Sequence, residues 1–315
     1  MKKITLALLG YGVVGKALEK LYIEEKPRAL EKFKRLQGEE LDFDLKWIYV
    51  RDIGRKVQSR AMVTNNYKDI LEDEDVDIVV ELMGGLEPAT TMIRQAMSQG
   101  KSVVTANKYA LYESKGELES LAVRNKVELS YEAAVAAGIP ILDILRNRLF
   151  FEEIQEITGI LNGSTNYILS RLAQGMGFKE ALEKANDMGY LEADPSLDLQ
   201  GFDSLHKIGI LSNLVFGTYP KVIKREGIEK AAQIKTSNKL KLIARANIEG
   251  IQVGLEEVDR QSPFYSIDDG INAIEFKTKY TKELFFSGPG AGGEATALSV
   301  WADILSQGRS FFDKN

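Results

Sequence analysis

The 315-residue chain has no cysteine, one histidine and seven prolines. The missing thiols exclude disulfides, thiolate metal sites and any cysteine nucleophile, so stability must come from packing. An excess of one charge is also missing, since 41 Lys and Arg stand against 46 Asp and Glu for a net charge of −5. That balance offers no broad field for nucleic acid, and a small-molecule partner is expected. No run reaches the ~20 apolar residues needed to span a bilayer. Lys2-Lys3 and the apolar residues 4–9 imitate a secretion signal, but glycines break the run and a helical pattern continues through Lys16 to Ile23. No small-residue cleavage pattern follows. The expectation is a cytoplasmic protein.

What is present reads as an ordinary globular chain, 44% hydrophobic and 28% charged. Its length exceeds the size at which one core usually stops growing, which predicts two domains. In the first half, short apolar runs at 4–9, 45–50, 78–82, 102–105 and 127–130 alternate with helix-like stretches such as 14–23, 89–99 and 114–124. Strands alternating with helices imply right-handed crossovers, hence an α/β Rossmann-type doubly wound parallel sheet. From about residue 151 the pattern changes to α+β. A half-covered strand at 153–161 precedes helix-like stretches at 164–174, 178–188 and 205–216, strand-like runs at 241–246, 252–255 and 272–277, and a last helix at 294–307. The expected domains are 1–135, completed by 288–315, and 136–287.

Gly10-Tyr11-Gly12-Val13-Val14-Gly15 closes the first strand and opens the first helix. In that context Gly10 permits the tight turn, Gly12 lets the backbone approach a pyrophosphate, and Gly15 lets helix and strand pack closely. Cofactor choice should sit after the second strand, at Arg51-Asp52. An acid there would hold the ribose hydroxyls of NAD, and an arginine would take the extra phosphate of NADP. Arg51 comes first, with Lys56 and Lys68 as support, and the gap from Gly15 to Asp52 exceeds the usual ~20 residues. NADP is favoured and NAD stays open.

The densest polar stretch runs from Ala185 to Lys207. Asp203 and Lys207 stand four apart at the start of a helix whose Leu205, Ile208, Ile210 and Leu211 are apolar. Spacing alone leaves two readings. One is a surface ion pair worth a few tenths of a kcal/mol. The other is a lysine oriented by a carboxylate for proton transfer, preceded by Glu192 and Asp198, which could hold a substrate ammonium.

This stretch, together with Thr105-Ala-Asn-Lys108, Tyr131-Glu-Ala-Ala-Val-Ala-Ala-Gly-Ile-Pro140 and Gly159-Ile-Leu-Asn-Gly-Ser-Thr-Asn-Tyr-Ile168, resembles the homoserine dehydrogenases, with motifs in family order from Gly10 to Gly292. Leu191 and Ser164 are mild departures. The resemblance implies hydride transfer between a nicotinamide cofactor and C4 of homoserine, giving aspartate 4-semialdehyde. By it Lys207 is the general acid/base, Asp203 its support, and Lys108 lies between cofactor and substrate. Glu192, Asp198, Gly163, Ser164 and Tyr190 match the substrate site. Thr105 and Gly292 join residues 10–15 and Arg51 at the cofactor. Glu132, Val135, Ala137 and Ile139 match a sodium or potassium loop, for which a tight hinge between domains is the alternative reading. A homodimer held by a catalytic and dimerisation domain is implied, as is a chain without kinase or C-terminal regulatory domains.

His206, next to Lys207, is the competing base, histidine being the usual one in alcohol oxidation. Adjacent helical residues point about 100° apart, and the helical wheel puts Lys207 on the face of Asp203. A semialdehyde dehydrogenase that acylates a cysteine is excluded by composition. An amino-acid or imine reductase and a nucleotide-sensing module remain as rivals, since fold does not imply function.

Overall fold

The computed structural model describes residues 2–54, 56–191, 194–217 and 221–313, which divide into two units, Met1–Ala134 with Gly292–Asn315, and Val135–Ala291. In chain order the first unit holds β1 (Lys2–Leu9), α1 (Val13–Gln37), β2 (Leu41–Tyr49), β3 (Met62–Thr64), α2 (Lys68–Leu71), β4 (Ile78–Glu81), α3 (Ala89–Ser98), β5 (Ser102–Thr105), α4 (Lys108–Asn125) and β6 (Leu129–Ser130). The second holds α5 (Ile141–Asp143), β7 (Ile154–Ile160), α6 (Gly163–Ala173), α7 (Phe178–Asp187), α8 (Ser196–Leu199), α9 (Phe202–Phe216), β8 (Val222–Arg225), β9 (Lys239–Asn247), β10 (Gly250–Val258), β11 (Ile271–Thr278) and β12 (Glu283–Pro289). The final helix, α10 (Gly293–Asp313), returns to the first unit.

The first sheet is parallel throughout, in the order β3-β2-β1-β4-β5-β6. This is the doubly wound order whose direction reverses between β1 and β4. Strand β1 shows why both faces must be covered. Ile4, Leu6 and Leu8 enter one core with Leu18 of α1 and Trp301 and Ile304 of α10. The intervening Ala7 and Leu9 enter another with Ile93 and Met97 of α3 and Leu118 of α4. The two-residue period of a strand thus feeds two layers, and an uninterrupted apolar run is the result. Trp301 fixes α10 to this unit by edge-to-face contacts with Phe43 (5.3 Å) and Tyr22 (5.8 Å), each worth about 0.5–1.5 kcal/mol beyond area burial.

The helix expected at 14–23 continues to Gln37, carrying Pro27 inside it and ending on Gly38 at φ 78°. Its second half is mostly charged, with Leu30 and Phe33 packed on the core, so its periodicity is faint in the sequence. This extension accounts for the long gap between Gly15 and Asp52. The helix expected from 114 starts at Lys108, because the Asn107 side chain accepts the Ala110 N–H at 3.1 Å and caps it.

The second unit is built on a sheet ordered β12-β11-β7-β9-β10-β8. Neighbours are antiparallel except β10 and β8, and α6 and α9 pack against β9. Strand β12 is an edge strand that the sequence reading did not anticipate. It lacks β-branched residues, and its pairing with β11, from Ile271–Pro289 to Lys277–Glu283, is what makes it a strand.

Candidate active site

The glycine turn gives each of its three glycines a separate task. Gly10 has φ +98°, and a Cβ there would lie 2.8 Å from the Leu82 carbonyl oxygen. A Cβ on Gly15 would stand 2.4 Å from the Gly10 carbonyl oxygen, so helix and strand meet too closely for any side chain. Gly12 has open space where a Cβ would point. The residue just before α1 therefore leaves the helix N-terminus accessible, as an anion such as a pyrophosphate requires. Beside this turn lies a cleft of about 320 Å³ between the C-terminal ends of β1, β2 and β4, bordered by Gly10, Gly12, Arg51, Asp52, Leu82 and Met83. A crevice at the switch point of a doubly wound sheet is where such folds take a dinucleotide, and these residues fit one.

Other residues assigned to the cofactor fall into distinct positions. Arg51 is exposed at the cleft. Asp52 Oδ1 accepts the Gly54 N–H at 2.9 Å and so serves its own turn. Val13 is exposed, whereas Val14 packs on the core. Tyr11 lines the cleft, but its hydroxyl donates to the buried Glu19 carboxylate, which also accepts from Ser59. Burial and this partner push the Tyr11 phenol up to about 12. Thr105 does not border the cleft, and its hydroxyl donates to Glu81 at 2.6 Å. Lys108 is the half-buried first residue of α4. Gly292, at φ +109°, leads into Gly293, where a Cβ would meet Val13 Cγ1 at 2.8 Å. The final helix thus begins beside the glycine turn.

The second unit gathers its polar residues at the junction of β7, α6, α8 and α9. Lys207 Nζ is 2.9 Å from Asp203 Oδ2 and donates to the Leu161 carbonyl at 2.8 Å. Both side chains are buried, 9% and 3% exposed, so the surface-pair reading fails. An ammonium group removed from water needs such partners, and two of its three protons are directed here. His206 is also buried, with its ring tilted toward Phe202 at 6.3 Å.

Asn162 organises the acids. Its Nδ2 donates to Asp198 Oδ1 at 2.8 Å and to Asp203 Oδ2 at 2.9 Å, while its Oδ1 accepts the Thr165 N–H at 2.7 Å and caps α6. Glu192 lies outside the described residues. The Ser164 hydroxyl donates to the Tyr190 carbonyl at 2.6 Å, and the Tyr190 ring stacks on Tyr167 at 4.9 Å. A Cβ on Gly163 would stand 2.8 Å from the Gly270 carbonyl oxygen, so this glycine is required for close packing. The sequence reading assigned no role to Asn162, although its place before an apolar helix is a capping signal. Asn272, fully buried, donates to the Leu161 carbonyl at 3.1 Å, and no local pattern marks it.

The four positions matched to a cation loop are divided. Glu132 is buried in a 3-10 turn of the first unit, its N–H donated to Asp303 Oδ2 at 2.9 Å. Val135, Ala137 and Ile139 open the second unit, where Ala136 and Ala137 have φ of 55° and 32°. A turn of this kind redirects successive carbonyls, which suits a hard cation, but the Ile139 carbonyl already accepts the Ile141 N–H at 2.7 Å. Among the described residues no cluster of three or more Asp, Glu or His is arranged for a metal.

Residues 10–132 match the family model for the homoserine dehydrogenase NAD-binding domain, and residues 140–305 match that for homoserine dehydrogenase. The chain is 34% identical to the Helicobacter pylori homoserine dehydrogenase over 98% of its own length and 74% of the relative's. It is 35% identical to the Lactococcus lactis enzyme over 96% and 73%. Among solved structures, a homoserine dehydrogenase from Thiobacillus denitrificans superimposes with a TM-score of 0.90 at 33% identity, over 99% of this chain and 75% of that one. A hyperthermophilic archaeal homoserine dehydrogenase in complex with NADPH does so with a TM-score of 0.83 at 28% identity, over 97% of both.

Proposed function

Because the chain belongs to the homoserine dehydrogenase family of NAD(P)-dependent oxidoreductases, we propose that Lys207 carries the hydroxyl proton as L-homoserine and L-aspartate 4-semialdehyde interconvert. The observation that carries this assignment is a buried amine held from two sides, by Asp203 and by the Leu161 carbonyl. When bound, the nicotinamide cofactor supplies the hydride acceptor or donor. In oxidation the C4 hydroxyl must lose its proton as hydride leaves the same carbon, and Lys207 Nζ, entering this step as the neutral amine, accepts it and becomes the ammonium that Asp203 and the Leu161 carbonyl hold. In reduction the same atom returns the proton to the developing alkoxide. A proton transfer of this kind contributes typically ~10²–10⁴-fold. Asp203 and the Leu161 carbonyl orient the amine. Asp198, with Glu192, holds the substrate ammonium, and Lys108 is assigned to catalysis by family resemblance.

The first unit is the cofactor domain and the second the substrate domain. NADP is the favoured form, since Arg51 stands at the cleft while Asp52 is engaged by its own turn. The turn at 135–139 would offer main-chain oxygens of Val135 and Ala137 to a monovalent cation, which would stiffen it. Resemblance further supports a homodimer in the cytoplasm. Among the described residues no helix is long and apolar enough to cross a membrane.

The direct test is homoserine oxidation followed with NADP and NAD in parallel, with other amino acids as controls. Turnover specific to homoserine and faster with NADP is expected. No turnover of homoserine or of the semialdehyde with either cofactor would overturn the proposal. Sedimentation equilibrium should give twice the mass of one chain, and a monomer would remove the dimer.

A further inference from the structure

Glu81 ends β4, is fully buried, and has no place in the reaction described above. Its Oε1 accepts the main-chain N–H groups of Met83 at 2.7 Å and Gly84 at 3.2 Å, and its Oε2 accepts the Thr105 hydroxyl at 2.6 Å. Thr105 Oγ1 accepts the Asn107 N–H at 3.0 Å. Asn107 then caps α4 and donates Nδ2 to the Gly85 carbonyl at 2.7 Å. One carboxyl group thus ties the 82–85 segment, the end of β5 and the start of α4 together.

The partners also indicate a charge state. The Met83 and Gly84 N–H groups and the Thr105 hydroxyl all donate to the Glu81 carboxyl group, the pattern taken by an acceptor-only, ionised group. The arrangement therefore suits a carboxylate. Burial holds this carboxyl above the ordinary glutamate value, and the hydrogen bonds to it limit the rise. Its strand end lies at the switch point, and the next two residues, Leu82 and Met83, border the cleft.

We propose that Glu81 is a positioning residue whose buried carboxylate fixes the 82–85 wall of the cleft and whose charge favours the oxidised, cationic nicotinamide over the reduced, neutral one. The inference rests on the assignment of this cleft to NAD(P). A fixed negative charge attracts the cationic ring and is indifferent to the neutral one. In general, unit charges on the order of 10–15 Å apart at an effective dielectric of ~20 attract enough for a preference of roughly several-fold to tenfold.

The test is the pair of dissociation constants for oxidised and reduced NADP, measured calorimetrically on the wild type, Glu81→Gln and Glu81→Asp. Glu81→Gln keeps the shape and removes the charge, so it should weaken oxidised relative to reduced cofactor by roughly several-fold to tenfold. Glu81→Asp keeps the charge and should leave the ratio near that of the wild type even if both affinities fall. If Glu81→Gln does not fold, Thr105→Val, which removes one donor to the carboxylate, should move the ratio in the same direction by less. A purely structural role would lower both affinities together, and an unchanged ratio in Glu81→Gln, or in Thr105→Val where it must stand in, overturns the proposal. Failure of the wild type to bind either form would instead overturn the cofactor assignment itself.

Discussion

Replacing Asn162 by serine would remove a donor shared by two carboxylates while keeping a helix cap. Serine is among the preferred N-cap residues, so the bond that Asn162 Oδ1 makes to the Thr165 N–H has a substitute. What is lost are two contacts from Nδ2, at 2.8 Å to Asp198 and 2.9 Å to Asp203. Hydrogen bonds to charged groups contribute about 1.5–3 kcal/mol each. Without the bridge, two carboxylates roughly 5 Å apart repel by ~3 kcal/mol at an effective dielectric of ~20. That figure is an upper bound, because Asp198 is half-exposed and water will screen it. If half of this loss reaches the geometry of Asp203 and Lys207, kcat for homoserine oxidation should fall by ~10–100-fold. Cofactor affinity should not change, and the melting temperature should move little. Asn162→Asp adds a third carboxylate and should be worse. Like charges raise a carboxyl pKa, so the acid limb of its kcat profile should move upward, toward neutral pH. The assays are steady-state kinetics across pH 6–10 and thermal melting. A serine variant with wild-type kcat and an unshifted profile would refute the role given to Asn162.

Four further outcomes are expected. Lys207→Ala should lower kcat by at least ~10²-fold with cofactor binding intact, and His206→Ala should be much milder; the reverse order in steady-state rates would transfer the proton to His206. Arg51→Ala should weaken NADP(H) binding by about 1.5–3 kcal/mol and leave NAD(H) nearly alone, and equal losses in titration calorimetry would show that Arg51 does not read the phosphate. Gly15→Ala places a methyl group 2.4 Å from the Gly10 carbonyl oxygen, so it should lower both the melting temperature and the affinity for either cofactor; a stable variant with normal affinity would contradict the packing argument. Tyr11→Phe leaves the Glu19 carboxylate with one hydroxyl donor fewer and should cost about 1–3 kcal/mol in denaturant unfolding, whereas an unchanged midpoint would mean that water replaces the phenol.

The features legible in the sequence are those that depend on neighbours along the chain. The apolar run of β1 requires a sheet covered on both faces, the turn from Gly10 to Gly15 requires three glycines for separate steric reasons, and the four-residue spacing of Asp203 and Lys207 puts them on one helical face. Each follows from local backbone geometry, and so was readable before any fold was known. Tertiary structure decided what those elements meet. Spacing could not tell a solvated ion pair from a buried one, and burial of Lys207 follows from the packing of α9 on β9. The Leu161 carbonyl that accepts from Lys207 also accepts from Asn272, 111 residues away. That meeting is set by the antiparallel register of β7 and β11, which pairs Ile160 with Ala273. Glu81 went unnoticed for the same reason, since an acid at the end of an apolar strand looks like a solvated terminus until β5 brings Thr105 beside it. Residue type and spacing describe what a side chain can do, whereas long-range register determines which partners and how much water it has.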